Sequence, residues 1–343
     1  MRKLLNTLYV TNNKTYLSKD GETVLVKIDR QVKHQFPIHL LEGIVCFGNV
    51  LCSPALMHFC AQKKVSISFL SERGRFLARV QGPVSGNVLL RREQYRRADD
   101  PVHFEKIARS VILGKIMNTR TVLMRAIRNG ENESNNISLR EAASHLARLA
   151  RDLNQKIGLD SLRGVEGDAA KIYFSVFDHL ILSQKEDFFF RERSRRPPLD
   201  NMNALLSFIY TLLAHDVVSA CESVGLDPAV GFLHRDRPGR PSLALDLMEE
   251  CRSFIADRLA LTLVNRSQIK GKDFERSESG DIKMTEDARK EVLVAYQKRK
   301  QEEIFHPFIS EQIPIGLIPH IQALLFARYL RGDLEGYPPF VWK

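Results

Sequence analysis

The hydrophobic pattern changes its period between residues 82 and 100, and this change limits the folds open to the chain. In the first part, apolar and polar residues alternate, as in Val65-Ser66-Ile67-Ser68-Phe69. From Asn87 onward, apolar residues recur every three or four positions, as at Phe104, Ile107 and Val111. Period two is typical of half-buried strands and period 3.6 of amphipathic helices. We therefore predict an α+β fold, with a small N-terminal β-rich domain joined to a larger all-α C-terminal domain.

Turn signals divide the first part into strands. Asp20-Gly21 lies between two strand-like runs and is a strong hairpin signal, because such a turn needs positive φ at both positions. Ser53-Pro54 should open a short helix, with serine as the N-cap. Strands are expected at Leu8–Thr11, Tyr16–Lys19, Thr23–Ile28, Ile44–Phe47, Val65–Phe69 and Phe76–Val80. We place a β-rich domain at 1–85, a linker and helix start at 86–100, and a helical domain at 101–343.

The second part should consist of helices separated by polar loops. A long helical region from Asn87 should end at Asn129-Gly130. Further helices are expected over 139–157, 168–183, 200–224, 241–265, 284–303 and 315–331, with loops at 130–138, 184–200 and 266–283.

Charge and cysteine content narrow the class of protein. The formal net charge is +10, and residues 1–100 hold 16 Lys and Arg against 8 Asp and Glu. A basic protein of this kind can attract nucleic acid, although the excess of positive charge could also serve solubility alone. The five cysteines lack Cys-x-x-Cys spacing, which argues against a disulfide framework and a structural zinc site. With neither a signal peptide nor an apolar run of membrane length, we expect a cytoplasmic protein without membrane contact.

Two segments carry candidate metal ligands. Glu166 stands between Gly164 and Gly167, where we expect a helix to begin, and these small residues would let a backbone or ligand approach closely. Favourable interaction of an acidic residue with a helix N-terminus would explain Glu166 equally well.

The second segment runs from His234 to a helix that carries Asp246 and Glu249 three residues apart, on one face. An imidazole with carboxylates and no thiolate suits Mg²⁺ or Mn²⁺, the ions of phosphodiester chemistry. A solvated acidic face beside a histidine remains the alternative.

Arginines close to these segments are candidates for DNA phosphate binding. They are Arg235, Arg237 and Arg240 after the histidine, and Arg195 and Arg196 before Pro197-Pro198. A basic loop that leads into a core helix is an alternative explanation for the second group.

Taken in order, several motifs resemble the CRISPR adaptation integrase family, which inserts new spacers in antiviral defence. They are Lys115 with Asn118, Gly164-Val165-Glu166-Gly167, Arg196-Pro197-Pro198 with Asn203 to Tyr210, Gly231-Phe232-Leu233-His234, Asp246-Leu247-Met248-Glu249 and, closest to subtype I-C, the segment from Tyr337 to Lys343.

This resemblance implies a catalytic set of Glu166, His234, Asp246 and Glu249. Glu166, His234 and Glu249 would hold one Mg²⁺ or Mn²⁺, with His234 as a ligand rather than a general base. Many relatives have aspartate where this chain has Glu249, so whether Asp246 or Glu249 is the direct ligand stays open.

The resemblance also implies a reaction and partners. Prespacer 3′-hydroxyl ends would join the CRISPR repeat by transesterification, so the chain would bind double-stranded DNA. The β domain would form a homodimer, and a small ferredoxin-like adaptation partner would bridge two dimers. Subtype I-C would add an iron–sulfur nuclease. A metal-dependent nuclease on branched DNA and a non-catalytic DNA-binding scaffold are the alternatives.

Overall fold

The computed structural model describes residues 6–72, 76–80, 82, 88–130, 133–153, 158–195, 197–278 and 280–342. The strands are β1 (Thr7–Val10), β2 (Thr15–Asp20), β3 (Thr23–Ile28), β4 (Gln31–Pro37), β5 (Gly43–Phe47), β6 (Leu51–Cys52), β7 (Ser66–Leu70), β8 (Phe76–Val80), β9 (Phe274–Arg276), β10 (Ile282–Met284), β11 (Glu303–His306) and β12 (Glu311–Pro314). The α-helices are α1 (Pro54–Gln62), α2 (Val88–Asp99), α3 (Pro101–Asn129), α4 (Glu133–Asp152), α5 (Leu159–Ser175), α6 (Asn201–Ser223), α7 (Ser242–Cys251), α8 (Arg258–Asn265), α9 (Glu286–Gln301) and α10 (Ile318–Arg331).

The chain divides into two compact units, residues 1–86 with 284–301, and residues 87–283 with 302–343. The predicted β-rich N-terminal part and helical remainder are both observed. Two details differ from the prediction. Helix α9 belongs to the first unit, although we had assigned it to the helical domain, and the remainder is not all-α, since β9–β12 form two short two-stranded sheets.

The first unit is built from two four-stranded sheets, ordered β1-β5-β7-β8 and β4-β3-β2-β6. Strands β1, β5 and β7 run parallel, whereas β2, β3 and β4 are antiparallel. Helix α1 begins as expected, with the Ser53 hydroxyl accepting a hydrogen bond from Leu56 N at 3.2 Å. Its residues Leu56 and Phe59 share one apolar core with residues of both sheets, including Leu17 and Ile67. Burial of this shared core holds the two sheets together.

Two hairpins of the first unit differ from expectation at their turns. The β2–β3 hairpin forms, but Gly21 has φ +52° and Asp20 stays in the strand, so a single glycine provides the left-handed conformation. The β3–β4 turn was missed. Its residues Asp29 and Arg30 both have positive φ, at 49° and 67°. Because neither is glycine, the sequence gives no clear sign of this turn.

In the second unit, the 29-residue helix α3 packs against α4, α5 and α7. Asp100 caps it by accepting a hydrogen bond from Val102 N at 2.9 Å, and Pro101 occupies its first turn. Two predicted boundaries are wrong. Helix α4 begins at Glu133, inside the segment expected to be a loop, and α5 begins at Leu159 rather than near residue 168. Helix α4 starts in polar sequence, where apolar periodicity gives no signal. Helix α5 has apolar residues at Leu159, Leu162 and Val165 from its start, but Gly164 and Gly167 interrupt this pattern.

One helix, α6, is long and apolar enough to cross a membrane. However, 56% of its most apolar stretch is buried inside the protein, as in the core helices of folded domains. The five cysteines, all within the described residues, are free thiols.

Candidate active site

Asp246 on α7 fixes the segment that carries His234. Its Oδ1 accepts hydrogen bonds from His234 N at 2.9 Å and His234 Nδ1 at 2.7 Å. Its Oδ2 accepts from Phe232 N at 2.6 Å and Leu233 N at 3.0 Å. Asp246 is fully buried. Both carboxylate oxygens of Asp246 therefore accept hydrogen bonds from the loop that carries His234.

The hydrogen bond to Asp246 determines how His234 presents its ring. A carboxylate accepts, so Nδ1 donates and the lone pair of a neutral ring lies on Nε2. His234 Nε2 lies 3.9 Å from Glu249 Oε1. The Asp246 contact therefore directs His234 Nε2 toward Glu249.

Lys115 on α3 brings the two distant glutamates together. Its ammonium hydrogen-bonds Glu166 Oε1 from α5 and lies 2.8 Å from Glu249 Oε2 on α7. The side chains of Lys115 and Glu249 are 10% and 2% exposed, whereas Glu166 is 28% exposed. The fold thus joins the two segments that sequence spacing alone could not connect. Glu249, rather than Asp246, shares the Lys115 ammonium with Glu166, and it lies on the Nε2 side of the His234 ring.

Arg252, three residues after Glu249, supplies a second cation. Its Nη2 lies 2.8 Å from Glu249 Oε1, and the Arg252 side chain is largely buried, at 17% exposed. Burial alone would raise the pKa of Glu249, but the charges of Arg252 and Lys115 outweigh burial and hold that pKa at about 2. Glu249 is therefore an anion at neutral pH, although it is almost completely buried.

A π-helical turn at Arg252–Asp257 holds Arg252 in place. The Arg252 guanidinium lies 5.0 Å from the Tyr210 ring centroid, and Tyr210 donates a 2.5 Å hydrogen bond to Asp257 Oδ1. Positions five apart differ by about 140° around an α-helix, at about 100° per residue. The i→i+5 bonds of a π turn bring them to one side. Both residues can therefore contact Tyr210 only because the helix changes its pitch here.

These donors can be tested for fit to a divalent ion. Two carboxylates and an imidazole, without a thiolate, match Mg²⁺ or Mn²⁺. Glu249 Oε2 is buried and accepts no hydrogen bond of ordinary geometry from any described residue. As the side chains stand, no group of three His, Cys, Asp or Glu residues in the described part of the chain could hold a metal. The donor set fits, and an ion could bind between the glutamates only if the Lys115 ammonium moved aside.

Glu166 lies inside α5, not at its beginning. A Cβ added to Gly164 or Gly167 would meet no described atom within 4 Å. The expected close approach of another backbone is therefore not found. The helix surface beside Glu166 is open instead.

The arginines predicted to bind DNA lie at two places. Arg235 and Arg237 are exposed and Arg240 is half-buried, in the loop that follows His234. Arg235 lies 3.5 Å from Asp160, in the first turn of the helix that carries Glu166. Arg195 is exposed, and Arg196 lies outside the described residues.

Two residues of the site were not among the predicted site residues. Lys115 is the one charged residue among the buried residues of α3, which are otherwise apolar or uncharged, and this lone charge was the signal that could have identified it. Arg252 follows Glu249 by three positions, so helical spacing alone would have put them on one face.

The family model described as "CRISPR associated protein Cas1" matches residues 8–298. The chain belongs to the Cas1 family. It is 56% identical over 343 residues to a CRISPR-associated endonuclease Cas1 of Chlorobaculum tepidum, covering all of both chains. It is 53% identical over 347 residues to one of Rhodospirillum rubrum, again over the whole of both. Both Cas1 relatives are named endonucleases, so the chain falls in a family of nucleases.

Solved structures share the Cas1 fold. A Cas1 protein of Thermotoga maritima matches with a TM-score of 0.82 and 23% identity, over 95% of this chain and 97% of that one. A casposase bound to its integration product matches with a TM-score of 0.83 and 22% identity, over 98% and 94%. At these identities the likeness is one of fold.

Proposed function

We propose that this Cas1 protein is a metal-dependent DNA integrase of CRISPR adaptation. It would join prespacer 3′-hydroxyl ends to the CRISPR repeat. The observation that carries the proposal is the meeting of Glu166, His234 Nε2 and Glu249 around Lys115, beside an open helix surface. Two anionic side chains and one imidazole in this arrangement serve phosphodiester chemistry better than any other reaction considered.

Glu166, His234 and Glu249 would hold one Mg²⁺ or Mn²⁺. When bound, such an ion supplies Lewis-acid stabilisation of charge on phosphate oxygens. Asp246 keeps His234 in the tautomer with a free Nε2, and Arg252 keeps Glu249 anionic. The positive charge of Lys115 between the carboxylates lowers their repulsion before an ion binds.

In the proposed reaction, the prespacer 3′-oxygen forms a bond to a repeat phosphorus while the bond from that phosphorus to the repeat 3′-oxygen breaks. The attacking hydroxyl loses its proton, and the leaving 3′-oxygen gains one. The number of phosphodiester bonds is unchanged, so the site must align two DNA ends more than it must drive the step.

Double-stranded DNA would contact Arg195, Arg196, Arg235, Arg237 and Arg240. A net charge of +10 supports this, because phosphate contacts by Lys and Arg favour binding. We further propose a homodimer through the β-rich first unit and a ferredoxin-like small adaptation partner. If the chain is of subtype I-C, an iron–sulfur nuclease would also take part. All would act in the cytoplasm.

The test is a strand-joining assay with protein, partner, prespacer and a repeat-bearing plasmid. We expect joined products that EDTA abolishes and added Mn²⁺ or Mg²⁺ restores, and DNA affinity that falls steeply with salt. Glu166→Ala, His234→Ala and Glu249→Ala should each abolish joining. Glu141→Ala, at an exposed glutamate on α4, is the control.

The assay separates the other candidate functions. Cleaved ends without joined products would favour a nuclease acting on branched DNA. Spacer acquisition that survives all three ligand substitutions would favour a non-catalytic DNA-binding scaffold.

A further inference from the structure

The segment Tyr337–Trp342, which the proposed reaction does not use, is packed into the second unit. Tyr337, Phe340 and Trp342 are 4%, 0% and 6% exposed. The Trp342 ring lies between two guanidinium groups, 3.8 Å from that of Arg125 and 4.7 Å from that of Arg258. A segment with its aromatic side chains buried and its indole held by two cations is part of the core.

This segment is bonded to the residue next to Glu249. Tyr337 Oη donates to Glu250 Oε1 at 2.7 Å, and Phe340 N donates to Glu250 Oε2 at 2.8 Å. Gln322 on α10 also donates to Glu250 Oε2, at 2.8 Å. The Glu250 side chain therefore fastens the last turn of α7 to the segment.

The same segment is bonded to α3, one helical turn from Lys115. Asn118 Nδ2 donates to Phe340 O at 2.8 Å and to Glu250 O at 2.7 Å. Trp342 N donates to Asn118 Oδ1 at 2.7 Å. One buried amide thus ties α3, α7 and the 337–342 segment together through three hydrogen bonds, which are strong restraints because unmet buried polar groups cost free energy.

The three elements also meet in close packing at Gly114, beside Lys115. A Cβ at Gly114 would lie 3.0 Å from Glu250 Cγ and 3.0 Å from Pro339 Cβ. Only glycine leaves room for this approach. Gly114 precedes Lys115, and Glu250 follows Glu249. Each of these two site residues therefore lies next to a residue that contacts the segment.

We propose that the 337–342 segment is a positioning element of the candidate site. It sets the spacing of α3 and α7, and with it the contact between Lys115 and Glu249. The inference rests on the proposed metal-dependent function, since its effect is on how Glu166, His234 and Glu249 gather around an ion. Residues that orient ligands in this way typically change metal affinity by about 10- to 100-fold when altered.

The test measures Mn²⁺ binding to the full chain without DNA, by the loss of the free-ion electron paramagnetic resonance signal. Hydrogen exchange of the backbone amides in 113–119 and 246–252 is followed in parallel. Two variants loosen the segment: Tyr337→Phe removes one hydrogen bond to Glu250, and Trp342→Ala empties the place between the arginines. We expect Mn²⁺ affinity to fall by about 3-fold and about 10-fold, with faster exchange in both stretches.

Two controls separate positioning from stability. Glu335→Gln changes an exposed residue just before the segment and should leave affinity and exchange unchanged. Leu146→Ala makes a cavity on α4, which packs on α3 and α5, and should lower the melting temperature while Mn²⁺ affinity is retained.

Each result has a definite meaning. If both segment variants fold and keep wild-type affinity and exchange, the positioning role is wrong. If Trp342→Ala does not fold, Tyr337→Phe decides alone. If the wild-type chain binds no Mn²⁺, the proposed function fails, and the exchange measurement still tests whether the segment orders α3 and α7.

Discussion

The carboxylate of Asp246 holds His234 at two points, the backbone nitrogen at 2.9 Å and the ring Nδ1 at 2.7 Å. One buried side chain thus sets both the path of the loop and the tautomer of the ring. The role of Asp246 is therefore separate from that of Glu249, which shares Lys115 with Glu166.

Asp246→Asn tests that separation. The amide keeps the size of the carboxylate but has only one accepting atom for four donors. We expect strand joining to fall by about 10- to 100-fold and Mn²⁺ affinity to fall with it. Asp152→Asn, at an exposed aspartate at the end of α4, should change neither. Normal joining by Asp246→Asn would contradict the positioning role.

Arg252→Met tests the buried cation beside Glu249. Removing one partner of a buried ion pair costs on the order of 3 kcal/mol of stability. The substitution also removes the Arg252 charge, which lowers the pKa of Glu249 more than the Lys115 charge does, so that pKa should rise. We therefore expect strand joining to be lost more severely at pH 6 than at pH 8, with the acidic limb of the pH profile displaced upward. Arg266→Met, at an exposed arginine, is the control. Equal loss at every pH would mean that Arg252 does not act through the charge of Glu249.

Glu250 predicts how stability depends on pH. Burial raises its pKa from the ordinary 4.5 to about 8 in the folded chain, against the opposing hydrogen bonds from Tyr337, Phe340 and Gln322. The folded state holds this proton more tightly than the unfolded state, so protonated Glu250 adds to the free energy of unfolding. That stabilisation is complete below pH 4.5 and is lost as pH rises through about 8. The melting temperature should fall over that window, and Glu250→Gln should flatten the fall. A parallel pH dependence in the variant would rule out Glu250 as the source.

Gly164→Ala tests the open surface beside Glu166. Alanine inside a helix stabilises by about 0.5–1 kcal/mol relative to glycine, and no described atom lies within 4 Å of the new Cβ. We expect a higher melting temperature together with weaker DNA binding if substrate approaches this face. Unaltered binding and joining, measured beside Gly336→Ala as an exposed control, would mean that DNA does not approach at residue 164.

Much of the architecture could be predicted from local pattern. The change of hydrophobic period gave the β-rich and helical parts, and side chains such as Ser53 and Asp100 marked helix starts by capping. Helix α9 was assigned to the wrong unit, because an amphipathic face does not reveal which core it covers. The predicted starts of α4 and α5 are too late. The first turn of α4 is polar, and in α5 the glycines at 164 and 167 interrupt an apolar pattern that begins at Leu159.

Residue types alone brought Glu166, His234, Asp246 and Glu249 forward as candidates, but they pointed neither to Lys115 and Arg252 nor to how the side chains are arranged. The residue types around His234 suggested a hard metal ion, and helical spacing put Asp246 and Glu249 on one face. That spacing cannot tell which carboxylate is consumed by backbone amides, and the four donors to Asp246 come from a loop whose path depends on the whole fold. The contact between Glu166 and Glu249 through Lys115 likewise depends on how α3, α5 and α7 pack.

The π turn at Arg252–Asp257 amounts to one extra residue in this helical run. If the stretch took up α-helical pitch with all of its residues, everything that follows would turn by about 100° around the axis. Asp257 would then leave Tyr210, and Arg258 would swing away from Trp342. Deleting one residue between Arg252 and Asp257 would instead place the two at i, i+4 spacing, which α pitch already puts on one face. A single-residue deletion here should therefore be tolerated better than one inside an ordinary α-helix.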